Sequence, residues 1–178
     1  MKKSTSVALA KTAILTALIC VVSPFSVPLP SGVSVSLATF IIFLASAVLT
    51  PFQATVSVLV YLFIGAVGVP VFQNFSGGFY SLIGPTGGYL LAYPICALVS
   101  GLIIKNKSGF WRYALAFFVG TVIIYLIGAP WCSVVTTGGL NLKVILTLLI
   151  TFLPFDIIKM ICASALANKL NKKLKNAT

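Results

Sequence analysis

The chain has 178 residues, 60% of them hydrophobic and 7% charged, with twelve Lys and Arg against a single acid and a mean hydropathy of +1.15. An ordinary soluble domain is excluded, because 93 uncharged residues run from Lys11 to Lys105 and no water-facing surface of that length is built without charge. The net charge of +11 does not point to nucleic acid either, since the basic residues sit at the ends of apolar spans rather than on one face.

The first apolar span runs near Val7 to Ser23. Its start, "MKKSTSVALAKTAILTALIC", has the basic and apolar parts of a signal peptide, but Lys11 interrupts the core and no clean small-x-small site follows, so a retained helix is expected. On this helix Ala10, Ala13 and Ala17 form a small-residue face suited to close helix contact. The proline-rich Pro24 to Pro30 is expected to form an extended cap. The second and third spans, near Val33 to Leu49 and Phe52 to Val69, are separated by Pro51.

Next comes "FSGGFYSLIGPTGGY", Phe75 to Tyr89, which holds five of the fourteen glycines and no charge. The connection from Pro70 to Thr86 is longer than a helix turn requires and is expected to be a lid. In it Gly77, Gly78 and Gly84 would let the backbone approach a ligand, Phe72, Phe75, Phe79 and Tyr80 would form an apolar wall, and Asn74 would offer a donor and an acceptor. The last three spans lie near Gly87 to Ile104, Trp111 to Ala129 and Leu142 to Ala167, giving six in all.

Ten of the twelve basic residues fall at the amino terminus (Lys2, Lys3, Lys11), between the fourth and fifth spans (Lys105, Lys107, Arg112), or in the tail (Lys169, Lys172, Lys173, Lys175). The positive-inside rule makes that side cytoplasmic. The expectation is therefore one all-α membrane domain over residues 1–178, with six transmembrane helices and both termini cytoplasmic. Long outward loops are expected between helices 1 and 2, 3 and 4, and 5 and 6.

The chain has no His, no Glu and only Asp156 as an acid, which removes paired carboxylates, Ser-His-acid triads and the usual metal sites. No enzyme activity, metal or bound cofactor is expected. Cys20, Cys96, Cys132 and Cys162 lack C-x-x-C spacing and read as small apolar residues. The unusual feature is "FLPFDIIKM", Phe152 to Met160. It places Asp156 and Lys159 three residues apart on one helix face near mid-membrane, where an ion costs a few kcal/mol unless paired or wetted. A buried pair seldom improves on apolar packing, so this one points to a ligand with an anionic group for Lys159 and hydrogen-bond donors for Asp156.

The segment "GAVGVPVFQNFSGGFYSLIGPTGGYLLAYP", Gly65 to Pro94, followed by "YLIGAPW", Tyr125 to Trp131, and "FLPFDIIK", resembles the BioY family, the biotin-binding S components of energy-coupling factor (ECF) transporters. The likeness covers essentially the whole chain. It departs at "VSVSLAT", Val33 to Thr39, where relatives have a V-P-I-T-L-Q-T-like run. The resemblance implies that Asp156 and Asn74 meet the ureido ring of biotin and Lys159 its carboxylate, with Phe72, Tyr89 and Trp131 against the thiophene ring and chain. It also implies a T component and two ABC-type ATPases as partners, the Ala10, Ala13 and Ala17 face serving for docking. ATP would be used by those partners, since no G-x-x-x-x-G-K-[ST] loop occurs here. Two other functions fit the residues: a self-sufficient ion-coupled transporter with Asp156 titrating, and a nontransporting scaffold.

Overall fold

A computed structural model describes residues 2–28, 34–105 and 109–176. Its elements, in order, are α1 (Lys2–Val22), β1 (Ser26–Pro28), β2 (Ser34–Ser36), α2 (Ala38–Val48), α3 (Pro51–Ala66), a one-turn 3-10 helix (Gln73–Phe75), α4 (Phe79–Ile83), α5 (Gly87–Ile104), α6 (Phe110–Thr137) and α7 (Leu142–Asn176). Helix α5 coincides with the fourth expected span. The boundary at Pro51 has a local cause: Thr50 caps α3, its hydroxyl accepting from the Gln53 N–H while the Gln53 side chain accepts from the Thr50 N–H. Proline at the first helical position adds a preset φ and has no N–H to leave unpaired.

Two expectations are corrected. The second span is not a full-length helix. Ser34 to Ser36 alternates as a strand and pairs antiparallel with Ser26 to Pro28, Val35 opposite Val27, and α2 has only 11 residues, about 17 Å. The Ser36 hydroxyl accepts from the Ala38 N–H, which starts the helix there. The expected extended cap is thus a strand over Ser26–Pro28, while Leu29, Pro30 and Val33 lie outside the described residues.

The fifth helix runs through Pro130 to Thr137, so no long loop joins the last two helices: only Gly138 to Asn141 remains. A proline inside an apolar helix is tolerated where neighbouring helices and hydroxyls re-satisfy the backbone. Here the stop is Gly138, at φ 74°, whose N–H closes on the Val134 carbonyl. The Ser133 hydroxyl then accepts from the Asn141 N–H and secures the turn into α7. The long connection expected after α3 is present, and the 3-10 turn and α4 order it.

The short α2 is the centre of the bundle, with nine of its eleven residues buried; it packs on α5 and α7, and α1 packs on α3. Without a hydrophobic force between helices in lipid, small residues and hydroxyls set these contacts. On α6, Gly120 lies against the Ser100 and Cys96 side chains of α5, and the Ser100 hydroxyl donates to the Ala116 carbonyl at 3.0 Å. Between α1 and α3, Thr16 meets the Ser57 hydroxyl at 2.9 Å and Ser23 meets the Tyr61 hydroxyl at 2.6 Å. At the opposite end the Asn171 amide donates to the Ala47 carbonyl and to the Tyr113 hydroxyl, joining α7, α2 and α6. The outer surface is apolar: Leu126, Ile150 and Ile158 are 69%, 72% and 60% exposed, as suits lipid contact.

Gly101 on α5 has Pro51 against it, and a Cβ there would stand 2.9 Å from the Pro51 Cα, a backbone atom that cannot step aside. Gly101→Leu should therefore separate α5 from the α2–α3 turn and destabilise the protein by about 1–3 kcal/mol, read as a lowered Tm in detergent.

Candidate functional site

A cavity, open at its mouth, lies within the bundle under the β hairpin and the Phe72–Gln73 turn. Its polar end is built by α7. Phe152, Asp156 and Lys159 recur at intervals of four and three, so one face of that helix presents all three to the cavity. Lys159 Nζ lies 2.5 Å from Asp156 Oδ1, and these side chains are 11% and 15% exposed.

Other elements complete the pair. The Lys159 ammonium also donates to the Ser36 carbonyl at 3.1 Å and to Thr39 Oγ1 at 3.0 Å, so each of its three protons has an acceptor. The Tyr125 hydroxyl of α6 donates a hydrogen bond to Asp156 Oδ2. Both carboxylate oxygens are thereby engaged, and each keeps acceptor capacity to spare. A mid-bundle ion pair is tenable on these terms, because the charges neutralise each other and every ammonium proton and both carboxylate oxygens have a partner.

The apolar wall depends on two glycines that the sequence reading passed over. A Cβ on Gly65 of α3 would stand 2.2 Å from the Phe72 ring, and one on Gly128 of α6 would stand 2.4 Å from the Tyr89 ring. Their absence lets the Phe72 and Tyr89 rings lie on the helix backbones. Phe72 then meets Tyr61 edge-on at 5.5 Å, and Tyr89 meets Phe152 at 6.4 Å. Leu90, Tyr93 and Ile124 complete this wall.

Of the residues singled out from sequence, Asp156, Lys159, Phe72 and Tyr89 line this cavity. Asn74, Gly77, Gly78, Gly84 and Trp131 do not. Asn74 is spent on the hairpin: its side-chain oxygen accepts from the Ser26 hydroxyl at 2.6 Å and its amide nitrogen donates to Ser34 Oγ at 2.7 Å. The turn residue facing the cavity is its neighbour Gln73. Gly77 and Gly78 fold the loop onto the end of α3, Gly77 against the Val69 carbonyl and Gly78 donating its N–H to the Gly65 carbonyl. Trp131 donates to the Gly84 carbonyl at 3.0 Å and covers Gly88, fastening the start of α5 to α6.

Phe75, Phe79 and Tyr80, expected in the wall, point away from the cavity at 60%, 66% and 86% exposure. For Phe75 the dihedrals of the turn are the cause: Asn74 and Phe75 both adopt φ of 55°, and Phe75 stands against Phe25. Ala10, Ala13 and Ala17 are exposed on the outside of α1. Tyr125, Thr39, Ser36 and Gln73 were not legible as site residues. A Tyr on an apolar helix or a Ser in an alternating strand carries no local mark of the charge it will meet.

This arrangement defines a class: a multi-pass membrane protein with a cavity inside its bundle, apolar along one wall and ionic at one end. Comparison with known proteins agrees with it. The chain matches the BioY family over residues 1–176 and belongs to that family. It is 38% identical over 164 residues to a Thermotoga maritima protein named as the biotin transporter BioY, covering 92% of this chain and 95% of that one. A Pyrococcus horikoshii protein, named as a probable biotin transporter BioY, is 40% identical over 138 residues, 78% of this chain and 80% of its own length. A crystal structure of the S-component for biotin from an ECF-type ABC transporter superposes with a TM-score of 0.86 at 26% identity, covering 97% of this chain and 94% of that one.

The coupling inside the ion pair is testable by stability alone. Asp156→Leu should destabilise by about 3–5 kcal/mol because it leaves a largely desolvated ammonium, 11% exposed, without its counter-charge, whereas Asp156→Leu with Lys159→Met should recover most of that loss. Thermal unfolding of the two variants in detergent gives the comparison.

Proposed function

We propose that the chain is the biotin-binding S component of an ECF-type importer, taking biotin from outside and passing it through an ATP-driven partner module. The observation that carries this reading is the covered, largely apolar cavity with Asp156 and Lys159 at its polar end, in a chain of the BioY family. Biotin has the matching pattern: an apolar bicycle and chain, ureido N–H donors and one carboxylate.

The ionic residues act by exchange of partners. Asp156 already accepts from Lys159 and Tyr125 and holds the ammonium in place for a ligand carboxylate; at 2.5 Å from Lys159 it does not also reach the ureido ring at the far end of an extended ligand. Lys159 has no proton to spare, so a ligand carboxylate takes the place of a neutral acceptor, the Ser36 carbonyl or the Thr39 hydroxyl. Both stand where the hairpin enters α2, which links ligand binding to the hairpin. Asn74 takes part through its clamp on Ser26 and Ser34, and Phe72 and Tyr89 supply apolar contact.

In this reading α1, α2 with its preceding strand, α3, α5, α6 and α7 are the six spans. The end that carries Lys105, Arg112 and Lys169 to Lys173 is cytoplasmic, as are both termini. The T component and two ATPases dock from the membrane and the cytoplasm, with Ala10, Ala13 and Ala17 facing the T component. The exposure of those three alanines supports this, since α1 packs internally through Thr16, Ile19 and Ser23 instead. No catalysis by this chain is proposed.

Purified protein should bind biotin far better than biotin methyl ester, and Lys159→Ala should weaken biotin more than tenfold while narrowing the gap between the two. Equal binding of acid and ester by the parent protein would remove Lys159 from the carboxylate role. Replacing Ala13 and Ala17 by large side chains should leave biotin binding intact and abolish both ATP-dependent uptake and co-purification of the ATPases. Persistent uptake with the bulky pair, or uptake driven by a proton gradient in vesicles holding this chain alone, would refute the docking assignment. A cysteine placed at Lys172 should resist external labelling in intact cells; labelling there would reverse the topology.

A further inference from the structure

Helix α4, Phe79–Ile83, has two unlike sides. Its Leu82 packs against the bundle core, and the helix rests on α3 and α5. Phe79, Tyr80 and Ile83, on the other side, are 66%, 86% and 55% exposed, and α3, α4 and α5 all lie in the uncharged stretch between Lys11 and Lys105. An exposed apolar patch of this kind needs a covering partner. Its neighbours show which one. Leu59, Phe63 and Val67 recur at helical spacing as exposed residues along α3 and its C-terminal end, and Leu91, Ile95 and Leu98 do so along α5. In a multi-pass membrane protein these are lipid-facing stripes, and α4 sits where the two end. Gly77, before α4, lies against the Val69 carbonyl that follows α3, and Gly87, at the start of α5, lies against the Leu82 carbonyl.

We propose that α4 is an interfacial anchor, with Phe79, Tyr80 and Ile83 seated in the lipid bilayer at the boundary between acyl chains and headgroups. The apolar side chains continue the two lipid-facing stripes, which brings the patch into contact with lipid. The backbone limits the depth. This five-residue helix is flanked by irregular chain, Ser76 to Gly78 and Gly84 to Thr86, and irregular backbone is not tolerated against hydrocarbon. The boundary layer meets both demands. Tyr80 suits that level, its ring among the upper acyl carbons and its hydroxyl toward the headgroups. The anchor follows the Phe72–Gln73 turn over the cavity, and Trp131 fastens Gly84 just beyond it, so the covering segment is held at the height of the membrane surface. The inference needs the membrane class alone and does not depend on the ligand.

The test is Tyr80→Trp in the full-length protein, reconstituted in phosphatidylcholine bilayers that carry bromine either near the headgroup end or near the tail end of the acyl chain. Emission of the parent protein is subtracted to remove Trp111 and Trp131. The added emission should be blue-shifted from that of Trp in water, lose more intensity to the shallow bromine than to the deep one, and respond weakly to aqueous iodide. Phe79→Trp, on the same side of the helix, should repeat that order. Strong iodide quenching without bromine quenching overturns the proposal, because α4 then stands in water. Stronger quenching by the deep bromine overturns the interfacial placement. Bromine quenching that disappears as protein density rises, or when the ATP-driven partner module is reconstituted alongside, also overturns it and gives the surface to a second copy or to a partner protein.

Discussion

The structure depends on keeping one carboxylate and one ammonium inside an otherwise uncharged bundle. Asp156 and Lys159 would each cost a few kcal/mol alone at that depth. Their separation of 2.5 Å, with the hydroxyls of Tyr125 and Thr39 and the Ser36 carbonyl around them, removes most of that cost. The surrounding groups come from α6, from the start of α2 and from the end of β2. Meeting the needs of two ions on one helix therefore requires α7, α6 and the hairpin-to-α2 junction to converge on one place.

That convergence explains the unusual second span. A continuous helix from Val33 would commit the Ser36 carbonyl to an intrahelical bond. The strand over Ser34–Ser36 leaves this carbonyl free to accept from Lys159, and the Ser36 hydroxyl begins the helix two residues later. The same strand carries Ser34, which with Ser26 is held by Asn74. The cover of the cavity is thereby attached to the ion pair on one side and to the Phe72–Gln73 turn on the other. The ion pair and the cavity cover share atoms, so neither can be altered without the other.

Glycines determine the shape of the remainder. Gly65 and Gly128 admit the Phe72 and Tyr89 rings onto helix backbones, and Gly120 admits α5 onto α6. In a lipid environment that gives apolar side chains no preference for the interior, such gaps and the rings that fill them decide which face of each helix turns inward. The aromatics that lack a matching gap, Phe79 and Tyr80 among them, are left outside.

Local sequence was sufficient for much of this protein. The helix boundary at Pro51 and the i,i+3 placement of Asp156 and Lys159 are read from neighbours in the chain, because helix starts and ion pairing within a turn are short-range effects. Tertiary structure decided the rest. Whether Pro130 would end α6 or be absorbed in it, and whether Asn74 or Gln73 would face the cavity, depended on partners that helix period cannot supply. Tyr125 meets Asp156 across 31 residues, and Lys159 meets Thr39 and Ser36 across 120 and 123. The ion pair is visible in the sequence because its members are one helical turn apart; the groups that make it tenable are not, because only packing brings them to it.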